Sequence, residues 1–487
     1  MTVTGSAVEA EQLIGGRAAA EARERQTVVS PATGEELGSF PLGTAADVAA
    51  AVAAARGAFD DWAALTVFQR AEAIERVIAV AEGRREEIGR LLALEQGKPF
   101  RREALPEVDE AIAFLRFGIE CAKQLDGFMP PPMDPRRRVL VYRAPRGVVG
   151  AIQPWNYPLG TLGGQIAPAL VCGNTVVSIP APSTTLAAYE FSRCFEEAEF
   201  PAGVYNLVTG QGAVVGDALT GHPDVQVITF AGSVPTGERI AARAAGKAQL
   251  IELGGNGPTV VLDDADLDLV VPDAIGATYS LAGQNCLAAG RFLVAAGIYD
   301  EFAERLTAGV AREVKLGDPL AEETTMGPLN NQTLAEKVDR HVAEAVAAGA
   351  TVTLGGSRAS GFATDLYWEP TVLTGVEESM SVATEETFGP VAPLQKIASE
   401  AEALAIMRAS SYGLSAAVYT RDVARGLKFA ELAPAGTVGV NSSSTDLEIH
   451  VPVGGRAGKS SGIGRTQGRY PMEEVFTELK TVILNLG

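Results

Sequence analysis

The chain has 487 residues, 47% of them apolar and 21% charged, which is ordinary for a soluble globular protein and too long for one simple core. Its 40 basic and 60 acidic residues leave a formal charge of −20, which argues against nucleic acid or an anionic membrane as a general partner. Four widely spaced cysteines (Cys121, Cys172, Cys194, Cys286) form no C-x-x-C pair, and three histidines (His222, His341, His450) stand singly, so neither a disulfide framework nor a metal site is expected. The opening residues show no basic segment leading into an apolar one, and no apolar run approaches the ~20 residues of a membrane span. A reducing, cytoplasmic setting is the expectation.

Residues 1 to about 25, rich in Ala, Glu and Arg with weak periodicity, read as a partly ordered tail. Ser30-Pro31-Ala32-Thr33-Gly34 is turn chemistry. Thr44-x-x-Asp47 resembles a capping box and predicts a helix from Ala45 to Phe59; helical patterns continue through Phe68 to Leu94 and Glu107 to Leu125. Pro130-Pro131-Pro132 breaks the pattern, and Arg138 to Arg143 then alternates as a strand would. Thr481 to Leu484 is a second short apolar strand. The two are read as an arm leaving the main body, with a plain edge hairpin as the alternative.

From Gly147 the pattern is regular. Apolar runs at Val148–Ile152, Thr175–Ile179, Val204–Val208, Val225–Thr229 and Gln249–Leu253 alternate with helical stretches such as Ser183 to Glu197 and Pro235 to Ala245. Short buried strands alternating with helices predict βαβ units and a parallel sheet, with ligands beyond the carboxyl ends of its strands. Three of those ends carry unusual residues: Gln153-Pro154-Trp155-Asn156, Phe230-Ala231-Gly232-Ser233 and Glu252-Leu253-Gly254-Gly255. A second α/β series, from Thr259–Leu262 through Arg291–Ala296 to Thr437–Asn441, is taken as another domain packed over that edge.

Gly283-Gln284-Asn285-Cys286 puts a thiol in a glycine-led turn, 34 residues after Glu252. A thiol attacks carbonyl carbon, and a nearby carboxylate can activate water to release the acyl group. A cysteine chosen blindly is more often buried and inert, and this one needs a lowered pKa or a base to give thiolate. Gly210-x-Gly212-x-x-x-Gly216 is one residue too long for a dinucleotide fingerprint, and a strand–helix turn explains it as well. Gly232-Ser233 opens a helix where a pyrophosphate or a simple N-cap would sit. Gly458-Lys459-Ser460-Ser461-Gly462 fails both as a hydrolase elbow, since no histidine follows His450, and as a P-loop, since Val453 stands where glycine is needed. It is read as a glycine-rich surface loop.

Pro154-Trp155-Asn156-Tyr157-Pro158-Leu159, Phe230-Ala231-Gly232-Ser233, Glu252-Leu253-Gly254-Gly255, Gly283-Gln284-Asn285-Cys286 and Glu386-Thr387-Phe388-Gly389-Pro390-Val391, in this order, resemble the aldehyde dehydrogenase superfamily. Asn441 and Gly454-Gly455 extend the resemblance, which runs from about Leu13 onward. It implies an α/β fold with three parts: a Rossmann-like parallel-sheet cofactor domain (residues 1–125 and 147–254), a second α/β catalytic domain (255–460), and a β-arm for oligomerisation (126–146 and 470–487), in a homodimer or homotetramer. It implies oxidation of an aldehyde to a carboxylic acid with NAD or NADP through a cysteine thioester.

By the same resemblance Cys286 is the nucleophile, Asn156 with the Cys286 backbone N–H holds the oxyanion, and Glu252 activates the hydrolytic water. Gln153, Pro154, Trp155, Gly212, Gly232, Ser233, Leu253, Glu386 and Phe388 would meet the cofactor. Tyr157, Asn285 and Leu447 would meet the substrate, in a tunnel that small Thr161 and Gly164 make roomy. No metal is implied. Glu252 favours hydrolysis over transfer of the acyl group to coenzyme A. Ile179 stands where a lysine commonly meets the adenosine ribose, Pro182 where a glutamate favours NAD, Ala231 where a threonine precedes the pyrophosphate glycine, and Asn256 where a lysine is frequent; NAD is a lean. Two other readings stay open: a thiol hydrolase pairing Cys286 with His341 or His450, and a non-catalytic member of the family.

Overall fold

The computed structural model of the chain describes residues 7–19 and 23–487. The predicted apolar runs pair into an eight-stranded sheet. Its centre is five parallel strands, in the spatial order Ala248–Leu253, Val225–Gly232, Val148–Ile152, Thr175–Ile179, Tyr205–Leu207. Val148–Ile152 and Thr175–Ile179 are buried at every residue, as a sheet covered on both faces requires. The strand order reverses between Val148–Ile152 and Val225–Gly232, so a crevice opens beyond their carboxyl ends.

Helices Val67–Gly83, Arg85–Gln96, Leu105–Ala122 and Pro158–Val171 cover one face, sharing one large apolar core with it. Helix Ala45–Ala64 lies on the other face, where Val48, Val52 and Ala55 meet Val148, Val177 and Ile228. Its capping box is formed: the Thr44 N–H donates to Asp47 Oδ2 at 2.8 Å, and the Asp47 N–H to Thr44 Oγ1 at 3.4 Å.

A seven-stranded sheet forms the second half, in the order Thr351–Leu354, Thr371–Thr374, Val391–Ile397, Arg291–Ala295, Pro258–Val261, Ser415–Tyr419, Thr437–Val440. Gly254 to Gly257 carry the chain directly from the last parallel strand of the first sheet to Pro258–Val261, an interior strand of the second. The amino ends of the second sheet therefore face the carboxyl ends of the first.

Three sequence readings change. The supposed tail contains strands at Val8–Glu9, Gln12–Ile14 and Arg17–Ala19 among the described residues; residues 1–6 and 20–22 lie outside them. Gln12 explains the first ordering: its amide is buried, donating to Thr209 O at 3.1 Å and accepting from the Thr209 N–H at 2.7 Å. The helical stretch from Phe68 to Leu94 is two helices that meet at Arg84, whose ψ of 4° leaves the α region. The Gly458–Gly462 segment is on the surface only at its start. Ser461 is buried, and Gly462–Ile463 pairs with Glu252 and Ile251 as an edge strand.

Arg137–Pro145 and Thr477–Asn485 form a separate two-stranded antiparallel ribbon, from Pro145↔Thr477 to Arg137↔Asn485. Among the described residues no helix is long and apolar enough to cross a membrane, and no group of three His, Cys, Asp or Glu side chains could hold a metal.

Candidate active site

A cavity of about 980 Å³ runs along the crevice between the two sheets, and every residue to which the resemblance gives a catalytic, cofactor or substrate role lines it. Cys286 stands at its foot. The turn before it is unusual: Leu281, Ala282 and Gly283 take φ of 55°, 53° and 73° in succession. At Gly283 a Cβ would come 2.1 Å from Gly389 O, so only glycine fits. Two buried side chains brace the turn. Glu103 accepts from the Leu281 N–H at 2.8 Å, and Gln284 donates to Leu281 O at 2.7 Å while accepting from the Asn330 N–H at 2.8 Å.

Cys286 Sγ donates to Glu252 Oε1 at 3.3 Å, from the end of strand Ala248–Leu253. Burial, then the charges of Glu252 and Glu386, hold the thiol well above its ordinary range. Burial raises the Glu252 carboxyl too, opposed by the bond from Cys286. The sequence left open a lowered thiol pKa or an adjacent base; the geometry puts the Glu252 carboxyl within hydrogen-bond distance of the thiol. The other described partner of Sγ is Asn285 Oδ1 at 3.8 Å, and no histidine bonds it. His341 is buried against Thr387 Oγ1 at 3.1 Å, and His450 is exposed.

Asn156 donates from Nδ2 to Gln284 O at 2.9 Å, which turns its amide toward the Cys286 loop and leaves its second N–H free. Its backbone carbonyl is held by Lys98 Nζ at 2.7 Å. Lys98 and Glu107 form an ion pair whose two side chains are both 0% exposed. Glu107 Oε1 also accepts from the N–H groups of Leu159 and Gly160, at 2.8 and 3.2 Å, in the first turn of helix Pro158–Val171. Lys98 lies 4.9 Å from the Tyr157 ring centre, and the Tyr157 hydroxyl donates to Glu110. Sequence reasoning missed Lys98, Glu103, Glu107 and Gln284; nothing in Gly97-Lys98-Pro99 or in the spacing to Glu107 distinguishes them from surface residues.

On the other side of Cys286 the cleft is shaped for a flat, extended group ending in an anion. Trp155 meets Phe388 edge to face, 5.6 Å between centres at 81°, with Phe388 at φ 58°. Glu386 accepts from the Gly255 N–H at 3.0 Å; burial, eased by Lys337, pushes its carboxyl up to about 7. A Cβ at Gly254 would lie 2.5 Å from that carboxylate. Farther along, Ser233 opens helix Val234–Arg243 but makes no side-chain cap bond, turning its hydroxyl instead to Thr236 Oγ1 at 3.1 Å. The first-turn N–H groups of Val234 and Thr236 precede the helical ladder, as at any helix start, and Ser233 and Thr236 line the cleft, the setting of an anion site. Gly212, opposite, has open space where a Cβ would project. These residues fit a dinucleotide.

Gln153 is buried, donating to Gln165 Oε1 at 2.9 Å and accepting from Ser178 Oγ at 3.2 Å. Leu253 packs against Gly237 and Asn285 Oδ1 accepts from the Leu287 N–H at 3.0 Å. Ile179, which replaces a ribose contact in the resemblance, is only 1% exposed and belongs to the apolar core under the sheet edge.

The aldehyde dehydrogenase family model matches residues 18–482. The chain belongs to the aldehyde dehydrogenase family. It is 40% identical to the 3-sulfolactaldehyde dehydrogenase of Pseudomonas putida over 468 residues, covering 96% of this chain and 94% of that one. It is 37% identical to the NADP-dependent succinate-semialdehyde dehydrogenase of Escherichia coli K12, with 94% of each chain covered. Among solved structures, the betaine aldehyde dehydrogenase of Staphylococcus aureus in complex with NAD+ superposes with a TM-score of 0.93 at 33% identity, over 98% of this chain and 94% of that one. This aldehyde dehydrogenase is therefore an NAD(P)-dependent oxidoreductase that converts an aldehyde to the carboxylic acid. The thiol-hydrolase and non-catalytic readings give way to it.

Proposed function

We propose that Cys286 is the nucleophile and Glu252 its base, and the observation that carries this is the 3.3 Å bond from Sγ to Glu252 Oε1 at the foot of the cleft. Glu252 takes the thiol proton as Sγ attacks the aldehyde carbon, which offsets a thiol that burial holds protonated. The free N–H of Asn156 and the Cys286 backbone N–H hold the oxygen that gains charge. Bound NAD(P) supplies the hydride acceptor. Once Glu252 has released that proton to solvent it deprotonates water for attack on the thioester carbonyl, the same two donors hold the second oxyanion, and collapse expels Sγ, which recovers its proton from Glu252 as the acid leaves. Glu386, Trp155 and Phe388 support the nicotinamide end, and Ser233, Gly232 and the first turn of Val234–Arg243 the pyrophosphate. Leu253, Gln153, Pro154 and Gly212 shape the rest of that wall, while Tyr157, Asn285 and Leu447 shape the substrate side. The corner formed by Ile179, Pro180, Ala181 and Pro182 carries neither the lysine that meets the adenosine ribose nor the glutamate that favours NAD, so the choice between NAD and NADP is left to the assay with both.

The same reading assigns residues 1–125 and 147–254 to cofactor binding, 255–460 to catalysis, and the ribbon of 126–146 with 470–487 to assembly of a homodimer or homotetramer in the cytoplasm. The ribbon's exposed Leu479, Ile483 and Leu484 support that last assignment. A panel of aldehydes with NAD and with NADP, read by reduced nicotinamide, tests the function. Cys286→Ala is expected to abolish turnover with folding and cofactor binding intact, while Cys121→Ala, Cys172→Ala and Cys194→Ala keep most of it, being buried packing residues. Substantial turnover by Cys286→Ala removes the assignment.

A further inference from the structure

The substrate end of the cleft is defined by what stands around Tyr157. Phe114, Leu287, Leu447, Ile449 and Val453 give it apolar walls. Thr161 and Gly164 leave room: a Cβ on Gly164 would have only the Phe114 ring within reach, at 3.7 Å. Among the described residues, the acidic or basic side chain on this wall, besides Glu252, is Glu110, bonded to the Tyr157 hydroxyl.

The cations of the cavity are all elsewhere. Arg239 and Arg243 project from helix Val234–Arg243 on the nucleotide side, and Lys337 acts on Glu386. Lys98, behind Tyr157, is wholly buried and spent on Glu107 and Asn156 O. Arg465 turns its guanidinium onto Gly464 O at 3.0 Å. Gln467 offers the polar group that lacks a partner here. It lines the funnel, its φ is 63°, and its Oε1 is buried with no hydrogen bond among the described residues. A non-glycine residue held left-handed with an orphaned amide is a strained arrangement of the kind kept for ligand contact.

An anionic tail entering this funnel would lose its water, meet no counter-charge and lie against Glu110, which offers no positive charge whether ionised or protonated. Several relatives act, by name, on sulfolactaldehyde and on succinate or glutarate semialdehyde, all of them anions. Resting on the proposed placement of the reactive aldehyde at Cys286, we propose that this chain oxidises an uncharged aldehyde with an apolar, branched or ring-bearing body, whose distal hydrogen-bond donor, where it has one, meets Gln467 Oε1.

The test uses wild-type enzyme and two probes of equal chain length, 4-oxobutanoate and its methyl ester, with NAD and NADP, followed by formation of reduced nicotinamide. Phenylacetaldehyde and hexanal serve as further neutral probes. The ester is expected to exceed the acid in kcat/KM by about thirtyfold or more, as for a buried charge left without a partner. Acid turnover equal to or better than the ester's overturns the inference while leaving the dehydrogenase assignment standing. No turnover of any of the four overturns both.

Discussion

Glu252 and Cys286 hold one proton between them, and that sets how the enzyme should answer to mutation. The family resemblance gives Glu252 the second half-reaction, the attack of water. The bond to Sγ gives it the first as well in the proposed mechanism. Glu252→Gln is therefore expected to slow the pre-steady-state burst of reduced cofactor in parallel with turnover, by the ~10²–10⁴ of a lost base. The burst should recover as pH rises, because the thiol then ionises without help. Rapid mixing across pH checks this; a full-size, fast burst at neutral pH confines Glu252 to the water step. Asn156→Ala removes about 3 kcal/mol of oxyanion support from both half-reactions, so its burst should be slow at every pH. At this scale Cys286, Glu252 and Asn156 were legible because each stands in a motif at a strand end or turn. Lys98, Glu103 and Gln284 were not, because their work depends on partners 58, 178 and 46 residues away, which no local pattern encodes.

Helix Pro158–Val171 shows how an element carries that placement. Glu107 accepts two of the N–H groups in its first turn, and Lys98 neutralises Glu107 while gripping the carbonyl of Asn156 just before the helix. One buried ion pair thus holds both the start of the helix and the backbone of Asn156, whose amide Gln284 O then orients. Lys98→Met leaves Glu107 charged and unpaired in the core, at a cost of about 3–5 kcal/mol. A large drop in the thermal midpoint is expected, and kcat should fall in the fraction that stays folded; unchanged kcat would make the pair structural only. The parallel strands were readable to within one to three residues at their ends, since a five-residue apolar run between glycine-rich turns has few alternatives. The strand Gln12–Ile14 was not: its partner lies at Tyr205–Leu207, and its own three residues carry no alternation. The break at Arg84 escaped notice because the one glycine that marks it, Gly83, stands alone inside an otherwise helical pattern, where a single Gly is tolerated.

Across the whole molecule, two sheets meet so that the carboxyl edge of one faces the amino edge of the other, and the ribbon of Arg137–Pro145 with Thr477–Asn485 stands apart from both. A two-stranded ribbon is marginal alone, and this one exposes Leu479, Ile483 and Leu484. Docking against a second copy is the proposed remedy. Ile483→Lys should shift the protein toward monomer in sedimentation or light scattering at micromolar concentration, and an unchanged oligomer would place the interface elsewhere. The ribbon also fixes an order of events during synthesis. Its first strand leaves the ribosome with Pro145, but the strand it pairs with begins only at Thr477, so at ~5–20 residues per second the first waits roughly 20–60 seconds. Subunits joined through the ribbon cannot assemble while translation is still short of that strand. On the proposed assembly, a chain broken off before Thr477 would lack one of the ribbon's two strands, and assembly would screen out its own incomplete products.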